Sequence, residues 1–429
     1  MKVLLINTYE SQGGAAIACR RLLKALNKTT SVKAKLLVDV RQKKTVDEEV
    51  YELANTERKR TFRKYRFILE KVLFMPFEIS KKERFSFSTA RLGTDISKHP
   101  LVQDADILHI HWTNHSFLSH ENIRQLILLK KPVVVTMHDM WYFTGGCHYS
   151  GECTYFMDEC GNCKFLRYAH PNDLSHKIWN SKQGIYDDNI IFVACSSWLA
   201  NVGRTSSLLQ ERRVINIPNP IDISIFKEQD QLKSRRDFNL PENKVLILYV
   251  AAKVDDERKG YKYLSQALKK LYESDTPLKE KLEIIVMGNV KDQQEIAFYF
   301  PTHFLGGISD QDKIVSCYNA ADLFVAPSLE DNLPNTIIES MACGTPVVAF
   351  HTGGIPEIID HKYNGYLAEY KNTEDLINGI TWGISEPELS EKCMNKITNT
   401  FSEKVVSAQF TALYQSLLGI PANNNKGRE

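Results

Sequence analysis

The sequence predicts an α/β chain built as two doubly wound domains, and three observations carry that prediction. Residues 323–359 pass from a short apolar segment at 323–326 through a polar, proline-bearing turn into an amphipathic helix near Thr336. They continue through Gly344, Thr345 and Pro346 into a second apolar segment at 347–350, a complete strand-helix-strand unit. The same alternation recurs on both sides of a Pro- and Asn-rich stretch, VINIPNPID at 214–222, which reads as a linker. A chain of 429 residues also exceeds one typical domain. The expected division is a first domain at 1–215 and a second at 216–402, with a last helix at about 403–418 crossing back onto the first. A tail at 419–429 has little to bury and is expected to be disordered.

Composition sets the class. Hydrophobic content of 43% and charged content of 25% are those of a folded soluble protein. A net charge of +2 does not select a partner, because steering needs a concentrated patch. No run approaches the roughly 18 apolar residues of a membrane span. The opening MKVLLINTYE turns polar too soon for a secretory leader, so a cytoplasmic chain with reduced cysteines is expected.

Taken in order, residues 3–6 read as a buried strand, and Gln12, Gly13 and Gly14 open a helix over 15–26. Two glycines at such a turn let a ligand approach the backbone and expose helix amides to an anion. Residues 36–40 form the next strand. Over 57–84 the cations Arg58, Lys59, Arg60, Arg63, Lys64, Arg66 and Lys71 interleave with aromatic and aliphatic residues. That pattern suits either a basic amphipathic helix on an anionic membrane or a surface helix packed on its own domain. A nucleic-acid role is disfavoured, since no base-reading module accompanies the charge. The strand at 106–112 ends in polar groups and that at 133–138 in histidine, placing His109, His111 and His138 at the cleft side, although a single His is most often structural.

The loop GGCHYSGECTYFMDECGNC then spaces Cys147, Cys153, Cys160 and Cys163 with five, six and two residues between them. Four thiols in one loop of a reducing compartment predict a structural zinc, with His148 an alternative ligand; the other reading is a set of buried thiols in an irregular loop. Residues 190–195 form a strand before Ser196 and Ser197. Beyond the linker, a strand at 245–252 leads to Lys253, Arg258, Lys259 and Gly260, cations at a strand's carboxyl end that suit a diphosphate or form a solvated basic turn. The strand at 282–287 ends at Gly288, and residues 304–308, ending in Ile308, follow another strand. Asp331 lies on a loop and Glu339 about one turn into a helix, so both could face the crevice outside the carboxyl ends of parallel strands. Asn332, Leu333, Asn335 and Thr336 at that helix start could bring amides to phosphate while the carboxylates hold hydroxyls. An ordinary crossover with solvated acids is the plain alternative.

Seven residues separate Asp331 from Glu339, and Gly344, Thr345, Pro346, Val347, Gly353 and Gly354 follow in order. In this the stretch resembles the carboxyl-terminal half of the retaining glycosyltransferases of family 4, which include bacterial polysaccharide and lipopolysaccharide enzymes. The resemblance implies the GT-B fold, two facing Rossmann-like domains with the site in the cleft between them. It implies transfer of a hexose from a UDP- or GDP-type sugar to a glycan or polyprenyl-linked acceptor, with retained configuration and no catalytic metal. Asp331 would hold sugar hydroxyls, Glu339 the ribose, and His138 the transferred sugar. Lys253, Lys259 or Arg258, with Gly13 and Gly14, would meet the diphosphate, while Gly288 and the main chain to Ile308 would lie near the base. A cysteine-rich insert after the His138-Asp139 element occurs in one branch of that family. The usual first acid is Glu, whereas Asp331 stands here with Glu330 directly before it. Two other functions fit the same architecture, a nucleotide-sugar epimerase and a catalytically silent assembly or lipid-binding subunit. A peripheral place on the inner face of the plasma membrane follows from the basic segment and a lipid-linked acceptor.

Overall fold

The computed structural model describes residues 1–41, 47–81, 83–187, 189–290 and 296–421. The chain divides into two compact units, Met1–Pro220 with Val406–Glu429, and Ile221–Val405. The part of the expected tail at 422–429 lies outside the described residues.

The first unit is built on seven parallel strands, β1 (Lys2–Tyr9), β2 (Lys33–Val40), β3 (Val50–Glu52), β4 (Ile107–Ile110), β5 (Val133–Met137), β6 (Ile190–Ala194) and β7 (Val214–Asn216). Their spatial order is β3-β2-β1-β4-β5-β6-β7. Strands β4, β5 and β6 are buried throughout, the mark of a parallel sheet covered on both faces. One face packs Leu4, Leu108, Val135 and Phe192 against residues such as Phe117 and Trp141. The other packs Val3, Leu5, Val134 and Val193 against Leu22 and Leu26 of the helix Gly14–Thr29. Val406, Phe410, Leu413 and Tyr414 of the last helix, Glu403–Leu417, lie in that second cluster. Strand order reverses between β1 and β4, so their carboxyl ends mark the switch point of this sheet.

The second unit holds six parallel strands, β8 (Val245–Lys253), β9 (Leu282–Asn289), β10 (Thr302–Gly306), β11 (Leu323–Ala326), β12 (Val347–Phe350) and β13 (Gly365–Ala368), in the order β10-β9-β8-β11-β12-β13. Its switch point falls between β8 and β11. The loops leaving those two strands carry Lys259 and Asp331 respectively.

Three features differ from the expectations. The proposed linker begins with β7, because Val214 and Ile215 pair with Phe192 and Val193 at the sheet edge, and the division between units falls after Pro220. Phe304 and Leu305 lie within β10, so only the main chain beyond Gly306 follows the strand. The basic segment forms the helix Glu57–Phe74, in which only Glu70 and Phe74 are buried. Arg63 and Arg66 reach Asp39 at 3.1 and 3.3 Å and Arg60 reaches Glu52 at 2.7 Å, so these three cations turn toward their own unit. The apolar side chains Phe62, Tyr65, Ile68, Leu69, Val72 and Leu73 stay exposed, Phe62 and Tyr65 by 67% and 68%. The helix packs on its own unit through Phe67, against His115, and Phe74, against Phe87, and leaves the rest of its apolar side chains exposed.

Candidate active site

In the second unit, the chain leaving β8 makes a short turn, Glu257–Lys259, capped by Asp256, which accepts the Arg258 amide at 3.1 Å. Gly260 follows in the left-handed region at φ 72°. A Cβ there would stand 1.7 Å from the Pro327 carbonyl, so only glycine permits the loops after β8 and β11 to approach this closely. The Leu329 amide donates to the Arg258 carbonyl at 2.8 Å, tying the loops together. That contact delivers Lys259 to Asp331, with Nζ 2.6 Å from Oδ2. Arg258 donates Nη1 to the Glu330 carbonyl at 2.8 Å and stands 3.8 Å from Asp331.

Asp331 is buried and Glu330 half-buried. Burial pushes the Asp331 carboxyl up, but the charges of Lys259 and Arg258 and the hydrogen bonds to it outweigh burial and hold it below its ordinary value. Its backbone is fixed from the Gly353-Gly354 turn. The Gly354 amide donates to the Asp331 carbonyl at 3.2 Å, and a Cβ on Gly353, at φ 56°, would lie 1.9 Å from that oxygen. The glycine pair thus positions the acid.

Glu339 is buried in the helix Asn335–Ala342, where its Oε2 accepts the Tyr318 hydroxyl at 2.9 Å. Asn332 and Leu333 are buried before that helix, and Asn335 and Thr336 occupy its first turn, where backbone amides have no partner within the helix. Of the three expected cations, Lys259 and Arg258 meet Asp331, whereas Lys253 ends β8 as an exposed residue. Gly288 lies where β9 presses against β8, 1.8 Å from the Ala251 carbonyl for a hypothetical Cβ, and Ile308 is half-buried beyond β10.

In the first unit, Gly13 (φ 87°) caps the helix Gly14–Thr29 at the end of β1, and a Cβ there would meet nothing within 4 Å. His138 follows β5 and does not stand alone. Its Nε2 lies 3.0 Å from His111 Nδ1 and its Nδ1 lies 3.6 Å from Cys195. His109 adds a third ring, held by Tyr414 and Thr136, both at 2.7 Å. Burial lowers His109 to about 3 and His138 to about 4, and carries His111 well below the ordinary value, so the stack is neutral at physiological pH. Of the three, His138 alone is half-buried, and it presents a neutral ring that exchanges hydrogen bonds without adding charge.

Asp139, the next residue, binds more groups than any sequence signal implied. Its Oδ2 accepts the Trp112 indole at 3.0 Å and His148 Nδ1 at 2.7 Å, while Oδ1 accepts the Trp141 amide at 2.9 Å. His148 Nε2 in turn meets Ser88 at 2.9 Å. This occupies His148 on both nitrogens and removes it as a substitute metal ligand. Among the described residues no group of three or more His, Cys, Asp or Glu side chains is arranged to hold a metal ion, so Cys147, Cys153, Cys160 and Cys163 do not form a ready zinc site. The reason lies in their surroundings: Cys147 and Cys163 pack among Phe74, Phe87 and Leu166, and the Cys160 sulfur accepts the Gly145 amide at 3.1 Å. Burial raises Cys147 to about 11 and Cys160 and Cys163 to about 12, so without a bound metal they are thiols. Lys182, also missed, is fully buried and donates to the carbonyls of Trp141 and, at 3.0 Å, Thr144.

Residues 230–400 match the family described as Glycosyl transferases group 1. An uncharacterized glycosyltransferase of Methanocaldococcus jannaschii is 29% identical over 73% of this chain and 84% of its own length. The chain is a glycosyltransferase homologue. A putative colanic acid biosynthesis glycosyl transferase of Escherichia coli is 24% identical to it over 74% of this chain and 77% of that protein. The structure of Anabaena HepE in complex with UDP and glucose superposes with a TM-score of 0.63 at 17% identity, over 97% of this chain and all of the other (100%). The fold of this glycosyltransferase homologue is accordingly that of the GT-B enzymes, two parallel-sheet Rossmann-like domains. The family match spans β8 to β13 and so contains the whole Lys259, Asp331 and Glu339 arrangement.

Proposed function

We propose that the chain transfers a hexose from a nucleotide diphosphate sugar to a glycan or polyprenyl-linked acceptor, with retained anomeric configuration, during synthesis of a cell-surface polysaccharide. The supporting observation is the Lys259-Arg258-Asp331 cluster at the switch point of the second sheet, with Glu339 held nearby in sequence by Tyr318. A relative in colanic acid biosynthesis and a fold neighbour complexed with UDP and glucose agree with the substrate class.

The chemical problem is departure of a nucleoside diphosphate from an anomeric carbon. Preorganised cations stabilise the charge that develops on the leaving oxygens. Lys259 exchanges Asp331 for the diphosphate, Arg258 supports it, and Asp331 is freed to accept sugar hydroxyls. Glu339 accepts the ribose hydroxyls, and the amides from Asn332 to Thr336 face phosphate. In the first unit, Gly13 and Gly14 offer further amides and His138 a neutral hydrogen-bonding ring to the sugar. The bond from the anomeric carbon to phosphate oxygen breaks, the acceptor oxygen forms its bond on the same face, and the acceptor proton passes to the departing phosphate.

The exposed apolar face of the helix Glu57–Phe74, flanked by Arg58 and Lys64, is read as resting on an anionic membrane surface at the cytoplasmic side. Among the described residues no helix is long and apolar enough to cross a membrane. Incubation with a panel of UDP and GDP sugars, with and without a polyprenyl-linked acceptor, tests the reading. Acceptor-dependent release of nucleotide with a new glycosidic bond is expected. Release of nucleotide with an epimerised free sugar, or no turnover with any donor, would overturn it.

A further inference from the structure

Beyond its long helix, the first unit carries a second feature that the transfer reaction leaves unused. After Glu57–Phe74 the chain runs antiparallel to the segment following the cysteine loop: Ile79 donates its amide to the Phe165 carbonyl at 3.1 Å, Arg167 donates to Phe77 at 2.8 Å, and Glu78 bridges Leu166. Beside this pairing opens a cavity of about 210 Å³ with apolar walls from Phe77, Leu166, Tyr168 and Leu174. Arg91, Lys177 and His170 supply its polar rim.

The charge in this cavity is net positive. Asp173 also lines it, but its oxygens are committed: Oδ1 takes the amides of Ser175 and His176 at 2.8 and 3.3 Å, and Oδ2 takes the Cys163 amide at 2.8 Å. Glu78 is bound by Arg84 at 2.8 Å. Among the described residues Arg91 and Lys177 have no carboxylate partner within ion-pair distance. Two exposed cations converging on apolar walls suit a ligand that is anionic at one end and apolar at the other, because phosphate gains charge-assisted hydrogen bonds while a hydrocarbon chain gains burial. A path for that chain exists: exposed apolar residues lead back from Phe77 over Met75, both just past the helix, to Val72 and Ile68, which stand one turn apart within it.

We infer that the Phe77-Arg91-Leu166-Lys177 cavity is a binding site for the phosphate head of a membrane amphiphile, whose apolar chain continues along the exposed strip of the helix Glu57–Phe74. The inference deepens the proposed function by giving a lipid-linked acceptor a seat in the first unit. It is tested without donor or turnover, so its failure and the failure of the transfer reading are separable.

The test is calorimetric titration of the full-length protein with farnesyl phosphate, farnesol and inorganic phosphate at equal concentration, repeated with the Arg91→Gln/Lys177→Gln double variant. Both substituted side chains are exposed, so the fold is unaffected and circular dichroism verifies it. Farnesyl phosphate is expected to bind saturably and far more tightly than either fragment, and the double variant to weaken it at least about tenfold, the loss of two charged hydrogen-bonding groups. Equal binding of farnesol would reveal apolar adsorption alone, and equal binding of inorganic phosphate a simple anion site. Either result overturns the inference, as does an unchanged affinity in the folded double variant.

Discussion

Replacing Lys259 with alanine separates the charge argument from the packing argument at the candidate site. The lysine Nζ stands 2.6 Å from Asp331 Oδ2, and the acid's side chain is only 11% exposed. Removing one partner of a buried pair costs roughly 3–5 kcal/mol. Arg258 remains at 3.8 Å and the Asn332 amide still donates to the carboxylate, so the expected loss lies at the lower end, about 3 kcal/mol. The sign of the pH dependence follows from the same contacts. In the wild type, burial raises the Asp331 carboxyl but Lys259 and Arg258 bring it below its unfolded value. Its stabilisation is therefore complete above the unfolded value of about 3.9 and is lost as pH falls through the folded one. Without Lys259, burial prevails and the folded value rises above the unfolded one. The penalty is then largest at neutral pH and relieved as pH falls through the raised value. Urea unfolding of both proteins at pH 7.5 and 4.5 should show the variant's deficit shrinking by on the order of 1 kcal/mol or more. A deficit equal at both pH values, or one below about 1 kcal/mol at pH 7.5, would show that Lys259 does not offset the burial of Asp331.

Other consequences are as direct. Lys259→Ala and Glu339→Ala should each lower turnover by about a hundredfold or more while the protein stays folded, with Tyr318→Phe milder because it orients Glu339 without touching substrate; near-wild-type turnover in folded Glu339→Ala fails this. Asp331→Asn should abolish most transfer and Glu330→Gln little of it, since Asp331 carries the buried ion pair and Glu330 contributes its carbonyl; the reverse ranking shows the register to be wrong. In flotation assays the protein should bind phosphatidylglycerol-containing liposomes and lose that binding with rising salt, as basic residues contribute about 1 kcal/mol each at an anionic surface. Replacing exposed Ile68 and Val72 by serine should weaken the binding, and binding indifferent to anionic lipid contradicts the membrane reading.

Much of this was legible from the chain, and the physical reason is uneven. Buried parallel strands read as continuous apolar runs, so the segment at 323–326 and the one at 347–350 coincide with β11 and β12 to the residue. The spacing of Asp331 and Glu339 and the turn glycines were visible because they are local. Their partners were not, because Tyr318 lies 21 residues from Glu339 and Lys259 lies 72 from Asp331, and only the order of strands in the sheet brings them together. The same holds for the Asp139-His148-Ser88 chain, whose last member is 60 residues from the second. Proline and asparagine around 217–220 hid the short strand β7, since three residues of strand carry too weak a pattern to outweigh turn chemistry. Spacing likewise does not say whether each sulfur of the cysteine loop turns into an apolar cluster or toward its fellows, and Cys147 and Cys163 pack among Phe74, Phe87 and Leu166.

On the proposed function, the second unit binds the nucleotide diphosphate of the donor through Lys259 and Glu339. Crystallography of the protein soaked with UDP or GDP tests it most directly. Diphosphate oxygens are expected on Lys259 and Arg258, with the lysine drawn away from Asp331, and ribose hydroxyls on the Glu339 carboxylate. A nucleotide bound while Lys259 stays on Asp331 and Glu339 touches no ribose would contradict it.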